Sequence, residues 1–278
     1  MKIKKQLTRI GLIWLPLTIF MFFVLTPLLW ALSMSLKNQS DIINGCFSIL
    51  PNPAIITNYV YVWYTNKLSL YFANSSLISF SAVFFIAVMS LLNGYVLSRF
   101  KFRGKNVFVV GLLMTQMVPA IINLAPLFLM VKTLKLSDTY LSVIILNIAG
   151  GIPYNTLLMK GFIGGVPKEI DEAARIDGCN RLQVIYKIIV PIVLPGLVSV
   201  IAFAFIGCWN EYLTSYTMLT TTDKFPISVG LKYLIGEFSV NYAALAAGSI
   251  ISLIPPLILF AYVQKYLVSG MSAGAVKG

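Results

Sequence analysis

Six apolar runs, at residues 10–35, 72–97, 107–131, 140–159, 189–213 and 242–267, leave this chain few folds to choose from. Each is about as long as the roughly 20 residues an α-helix needs to cross a bilayer. With 58% hydrophobic and only 11% charged residues, the chain lies outside the soluble globular range. The expectation is an all-α, polytopic membrane protein with six transmembrane helices. Residues 1–70 would form a first helix and outer loop, and residues 71–278 a core of five helices.

The net charge of +12 could point to nucleic acid, but the positive residues flank the apolar runs and build no dense basic face. Even-numbered crossing puts fifteen Lys and Arg on the side of both termini and six on the other. That excess places both termini and the loop after the fourth run in the cytoplasm. Lys2, Lys4, Lys5 and Arg9 precede a first run longer than the apolar core of a signal peptide, about 7–15 residues, so a retained helix is expected. Trp63 and nearby tyrosines suit an interfacial segment around residues 56–64.

Much chemistry is excluded. The chain has no histidine, so neither a Ser-His-Asp triad nor an HExxH zinc site exists. No GxxxxGK[ST] segment occurs, so ATP binding and hydrolysis are not expected here. Cys46, Cys179 and Cys208 are too scattered for a metal site or a disulfide framework. No enzyme activity, cofactor or metal is expected on this chain.

The longest charged interval runs from Pro167 to Pro195. Pro167 suits a first helical position, where its missing N–H would be unpaired anyway. A short helix over 168–176 follows, with Ile170, Ala173 and Ala174 as a narrow apolar strip. Asp171 and Arg175 stand four apart, as in a weak acid-to-base pair. Asp177-Gly178 ends the helix, because glycine takes a left-handed turn without a Cβ clash. Asn180 caps a second helix.

This pattern resembles the EAA loop of membrane subunits in ATP-binding-cassette importers. Glu172-Ala173-Ala174, Asp177-Gly178, Ile192 and Leu194-Pro195 carry the match. The ending Gly270-Met-Ser-Ala-Gly-Ala-Val-Lys-Gly278 resembles the tail of the second permease in maltose-type sugar importers. Weaker matches are Thr57-Asn58-Tyr59, the stretch 95–104 and Trp209-Asn210-Glu211. Cys179 departs from the small residue common there. The resemblance implies a permease subunit in a bacterial-type inner membrane. Its partners would be a second homologous permease, two cytoplasmic ATPase subunits that carry ATP and Mg, and an extracytoplasmic sugar-binding protein. It further implies that the loop, residues 160–195, contacts an ATPase through Glu172, Ala173, Ala174, Asp177 and Gly178. The tail residues Gly274, Lys277 and Gly278 would reach the ATPase interface.

Sugar inside a membrane calls for amides and flat aromatic faces. Asn123, Asn147, Tyr154, Asn155, Trp209, Asn210 and Glu211 are the candidates. Glu211 fits either a substrate path or a helix end in the headgroup layer. Pro119 and Pro126 favour a simple kink in the third helix. Gly150-Gly151-x-Pro153 favours a break or bend in the fourth, and Pro255-Pro256 an interruption in the sixth. A self-contained carrier or channel for a small polar solute is the other functional class. It would need internal repeats and functional intramembrane charges, and neither is evident.

Overall fold

The computed structural model describes residues 10–45, 48, 50–236 and 240–275. Helix dominates, and no strand occurs among the described residues beyond a bridge between Ile235 and Val240. The main helices are α1 (Leu15–Ser35), α2 (Leu68–Arg99), α3 (Lys105–Met117), α4 (Ala120–Thr133), α5 (Tyr140–Gly164) and α6 (Lys168–Ile176). They continue as α7 (Arg181–Ile192), α8 (Leu194–Trp209), α9 (Leu213–Met218), α10 (Ile227–Lys232) and α11 (Tyr242–Ala275). Four helices are long and apolar enough to cross a bilayer singly, and two bent pairs raise the number to six if each pair is one span.

The prolines act differently from their sequence reading. The α3–α4 pair turns by 100° at Val118-Pro119, which is a break and not a kink. Proline pushes the preceding residue out of the α region, and Val118 sits at φ −81°, ψ 121°. The expected bend at Gly150-Gly151-x-Pro153 does not interrupt α5, which runs unbroken. Gly151 serves a close approach instead: a Cβ there would lie 2.6 Å from Ile86 Cδ1 of α2. Pro255-Pro256 likewise sit inside a continuous α11. The α7–α8 pair turns by 85°, and Gly196, just after the turn, leaves room for the Phe162 ring.

The chain divides into two compact units. Met1–Ser69 with Leu231–Leu253 forms the first. In it, the Gln39 amide donates to the Val240 carbonyl (2.7 Å) and accepts from the Ala243 N–H (3.1 Å). Asn58 donates to the carbonyls of Ser35 and Lys37, both at 2.9 Å. The expected interfacial segment is helical, α over Thr57–Val60 and π over Tyr61–Thr65. The apolar window of α1 is wholly uncovered. Leu70–Gly230 with Ile254–Gly278 forms the second unit and contains both sites described next.

Candidate functional site

The charged interval folds as a stiff arm. α6 spans Lys168–Ile176, as the sequence suggested, with Pro167 as its N-cap and not its first helical residue. Glu169 and Asp171 in its first turn and Arg175 in its last complement the helix dipole. It closes in a Schellman turn: Gly178 N–H donates to the Arg175 carbonyl (3.1 Å) and Cys179 N–H to the Ala174 carbonyl (3.0 Å). Gly178 stands at φ +88°, where a Cβ would be strained. One residue on, Asn180 and Gln183 form a full capping box for α7, with bonds of 2.9 and 2.8 Å. Two local devices joined by Cys179 alone leave the turn little freedom.

Two sequence readings of the arm need correcting. Asp171 is buried and does not pair with Arg175, which is exposed. Its carboxylate takes both prongs of the Arg99 guanidinium, at 2.9 and 3.0 Å, and the Tyr95 hydroxyl at 2.9 Å. A forked pair satisfies a buried carboxylate better than an exposed partner on the same helix could. The same Arg99 donates to the Val166 carbonyl at 2.9 Å, just before the arm. Second, Ala173 is not on the inner face. Ala174 is buried in a cluster with Met159, Ile163, Val184 and Ile189, whereas Glu172, Ala173 and Asp177 are exposed. Ile176 is 86% exposed, an unusual position for isoleucine and part of the same outward side. The arm therefore turns an acid, a small residue and an apolar residue outward.

A second site is a cavity of about 380 Å³. It brings together Asn147, Tyr154, Asn155 and Glu211. The first three lie on α5 at intervals of seven and one, which places them on one side of a helix. Asn155 is 3% exposed, and its Nδ2 donates back to the Gly151 carbonyl at 2.8 Å. Asn155 Oδ1 and Asn147 Nδ2 have no hydrogen-bond partner among the described residues. Tyr154 and Phe203 meet edge to face at 6.1 Å and are both about half exposed. The cavity thus offers an acceptor, a donor and aromatic faces.

Glu211 caps α9, with one oxygen accepting from Thr214 N–H (2.5 Å) and the other from Ser215 N–H and Oγ (2.9 and 2.8 Å). Both oxygens are occupied by structure. Trp209 is buried between Phe72 and Phe205, ring distances 5.3 and 5.4 Å, and does not line the cavity. Asn210, exposed, and Asn123, half-buried on α4, also lie off it. Gly274 falls in the last turns of α11, and Lys277 and Gly278 lie outside the described residues.

Sequence reasoning missed Arg99, Tyr95, Gln116 and Phe203. Arg99 looked like one more basic anchor beside the membrane. Gln116, at the end of α3, reaches the cavity only because the helix pair turns there.

A clasp joins two connecting segments of the same unit. Asp138 accepts from Thr220 and Thr221 N–H (2.9 and 3.0 Å), from Thr221 Oγ1 (2.7 Å) and from Lys224 Nζ (2.8 Å). Burial alone would raise its carboxyl pKa, but the Lys224 ammonium and the threonine donors outweigh burial and hold it well below the usual carboxylate range. A depressed native pKa gives stability that is present above the unfolded pKa of about 3.9 and is lost as pH falls below it. The melting temperature of the wild-type protein in detergent is expected to exceed that of Asp138→Asn at neutral pH. The gap should narrow only below about pH 4. A gap that closes already at neutral pH would remove the clasp from the stability of this unit.

These features belong together in one class of protein. Residues 88–273 match the family described as "Binding-protein-dependent transport system inner membrane component", and the chain belongs to that family. It is thus a multi-pass permease component of an inner membrane. Among relatives, it is 30% identical to the inner membrane ABC transporter permease protein YcjP of Escherichia coli (strain K12), across 99% of each chain. It is 36% identical to the maltodextrin transport system permease protein MdxG of Bacillus subtilis (strain 168), across 75% of each. Among solved structures, it resembles a chain of a bacterial ABC transporter involved in the import of the acidic polysaccharide alginate. That match has a TM-score of 0.79 and 26% identity, and covers 91% of this chain and 94% of that one.

Proposed function

We propose that this chain is one of two permease subunits in an ATP-driven, binding-protein-dependent importer of sugars. The observation that carries the reading is the arm: a helix closed at its C-terminal end by a Schellman turn that runs straight into the capping box of α7, with Glu172, Ala173 and Ile176 turned outward. Such a lever can seat in a groove on an ATPase and move with it. The ATPase is the subunit that holds ATP and Mg; this chain carries no catalytic step. Charge asymmetry puts the arm and both termini in the cytoplasm. An extracytoplasmic binding protein then delivers sugar at the other side, and the tail at Gly274 and beyond reaches the ATPase interface.

The uncovered apolar surface of α1 suits lipid or the second permease. The cavity is the best candidate for this subunit's share of the path. Its unpaired Asn147 and Asn155 groups match sugar hydroxyls, and Tyr154 with Phe203 can stack on a pyranose face. Among the described residues, the one charged side chain lining it is the acid Glu211, which favours a neutral sugar over an anionic one. A proton-coupled carrier would need a free intramembrane acid, and Glu211 is engaged as a cap.

The chain, expressed with an added affinity tag, is expected to co-purify with a soluble ATPase and a second permease. In proteoliposomes, labelled neutral oligosaccharides should enter only with ATP and the binding protein present. Uptake by the purified chain alone, or labelling of Ile176→Cys from the extracytoplasmic side, would overturn the proposal.

A further inference from the structure

α2 touches three separate places in its unit, and among the described residues it is the one candidate span with no proline inside it. At one end, Tyr95 and Arg99 hold Asp171 of the arm. In the middle, Ile86 is fully buried and lines the cavity, pressed against Gly151. Near Tyr95, Gly94 packs so closely on α5 that a Cβ would lie 2.9 Å from both Lys160 N and Met159 Cβ. At the other end, buried Asn74 donates to the carbonyls of Asp223 (2.9 Å) and Phe225 (3.0 Å) and accepts from the Tyr140 hydroxyl (2.9 Å). Beside it, Ser75 Oγ accepts from Ile227 N–H at 2.7 Å. Asn74 and Arg99 are about 37 Å apart along the helix at 1.5 Å per residue.

We infer that α2 is a push rod, with Asp171–Arg99–Tyr95 as its joint to the arm and Asn74–Ser75 as its anchor on the segment 223–227. This rests on the proposed reading of the arm as the ATPase contact. The physical grounds are continuity and stiffness. An unbroken helix moves as a body, whereas the spans bent by 100° and 85° have a hinge in the path. A forked, buried ion pair is directional and resists both push and twist. Arg99 also grips Val166, so it holds the arm on two sides of Pro167. At the far end, the two amide donors and one acceptor of Asn74 fasten two backbone carbonyls and a tyrosine. A displacement of the arm along α2 must then shift residues 223–227 or break those bonds. Arg99, Tyr95 and Asn74 are positioning residues: none needs to touch sugar or ATP.

The test uses the whole transporter in nanodiscs, with permease, partner permease, ATPase and binding protein. In a cysteine-free background, exposed Thr222→Cys is labelled with a membrane-impermeant maleimide, with and without MgATP. The rod predicts that MgATP changes the labelling rate by about fivefold or more. Asp171→Asn should abolish that change while leaving the ATP-free rate as it was, and Asn74→Ala, which frees the segment beside the probe, should abolish the change with the yield of assembled complex unaltered. Tyr95→Phe, which keeps the ring and loses one bond, should weaken it partially. The exchange Arg99→Asp with Asp171→Arg should restore part of it, and the double variant Asp171→Asn/Asn74→Ala should be no worse than either single one. A merely structural role of the joint would instead alter the ATP-free rate and the yield of assembled complex, and would not be rescued by exchanging the charges. An undiminished MgATP response in Tyr95→Phe and Asn74→Ala, or no response in the unaltered chain while the ATPase co-purifies, overturns the rod and leaves the proposed function standing. Failure of any ATPase to co-purify overturns both.

Discussion

Ala174→Asp is expected to abolish coupled transport while the protein still inserts and its spans still form. Ala174 is 6% exposed and belongs to the cluster of Tyr95, Ile163, Val184 and Ile185. A carboxylate there would face the apolar side chains of that cluster, and the buried Arg99 is already committed to Asp171. Burying an unpaired charge costs several kcal/mol, about 3 or more. The arm avoids that cost by lifting off the cluster, which breaks its link to α7 and α2. Insertion does not depend on the arm, since the apolar runs supply it. Sugar uptake per ATP hydrolysed should fall by more than about tenfold, a loss of about 1.4 kcal/mol in coupling. Membrane yield should change much less. Gly178→Val is a milder version of the same experiment: the turn needs φ +88°, and a β-branched residue resists it. Uptake and ATP hydrolysis that remain coupled in Ala174→Asp would show that the seating of α6 does not transmit force.

The contrast between Ala173 and Ala174 shows which parts of the site could be read from the chain. Both alanines look equally suited to an inner face, and the deciding contact comes from residues far away in sequence. Local devices were legible: Gly178 as a left-handed stop and Asn180 as a cap depend on neighbours within four positions. The partner of Asp171 was not, because Arg99 lies 72 residues earlier, whereas Arg175 offered itself at the usual helical spacing. The spans were legible from the length of their apolar runs. Their breaks were not, because a proline's effect depends on what surrounds it. Pro119 opens a break in the poorly covered α3–α4 pair, whereas Pro153 is buried in a helix braced by Ile86 against Gly151. Trp209 illustrates the same limit. Beside Asn210 and Glu211 it looked like a sugar platform, but Phe72, far off in sequence, turns it into core.

Asn155→Leu is expected to leave assembly and binding-protein docking intact and to slow uptake of neutral sugar by about tenfold. The two side chains share a branched heavy-atom shape, and the cavity beside Asn155 gives the bulkier methyl groups of leucine room, so packing around α5 should survive the exchange. What disappears is the Oδ1 acceptor, buried and without a partner among the described residues, together with the Nδ2 bond to the Gly151 carbonyl, whose net worth of about 1 kcal/mol is no larger than the cost of the unmet acceptor. An unsatisfied buried acceptor costs about 1–3 kcal/mol. Removing it should therefore stabilise the protein without sugar, and thermal melting should show that directly. The same removal takes away a hydrogen bond that only a hydroxylated ligand could complete, so the effect on transport has the opposite sign. This pairing of higher stability with lower uptake separates a ligand group from a structural one, which would lose both together. Tyr154→Ala gives the complementary case: the ring is about half exposed and loses its Phe203 partner, so folding should change little while uptake falls. Normal uptake in both variants would move the sugar path onto the other permease and leave this cavity as packing space beside α2.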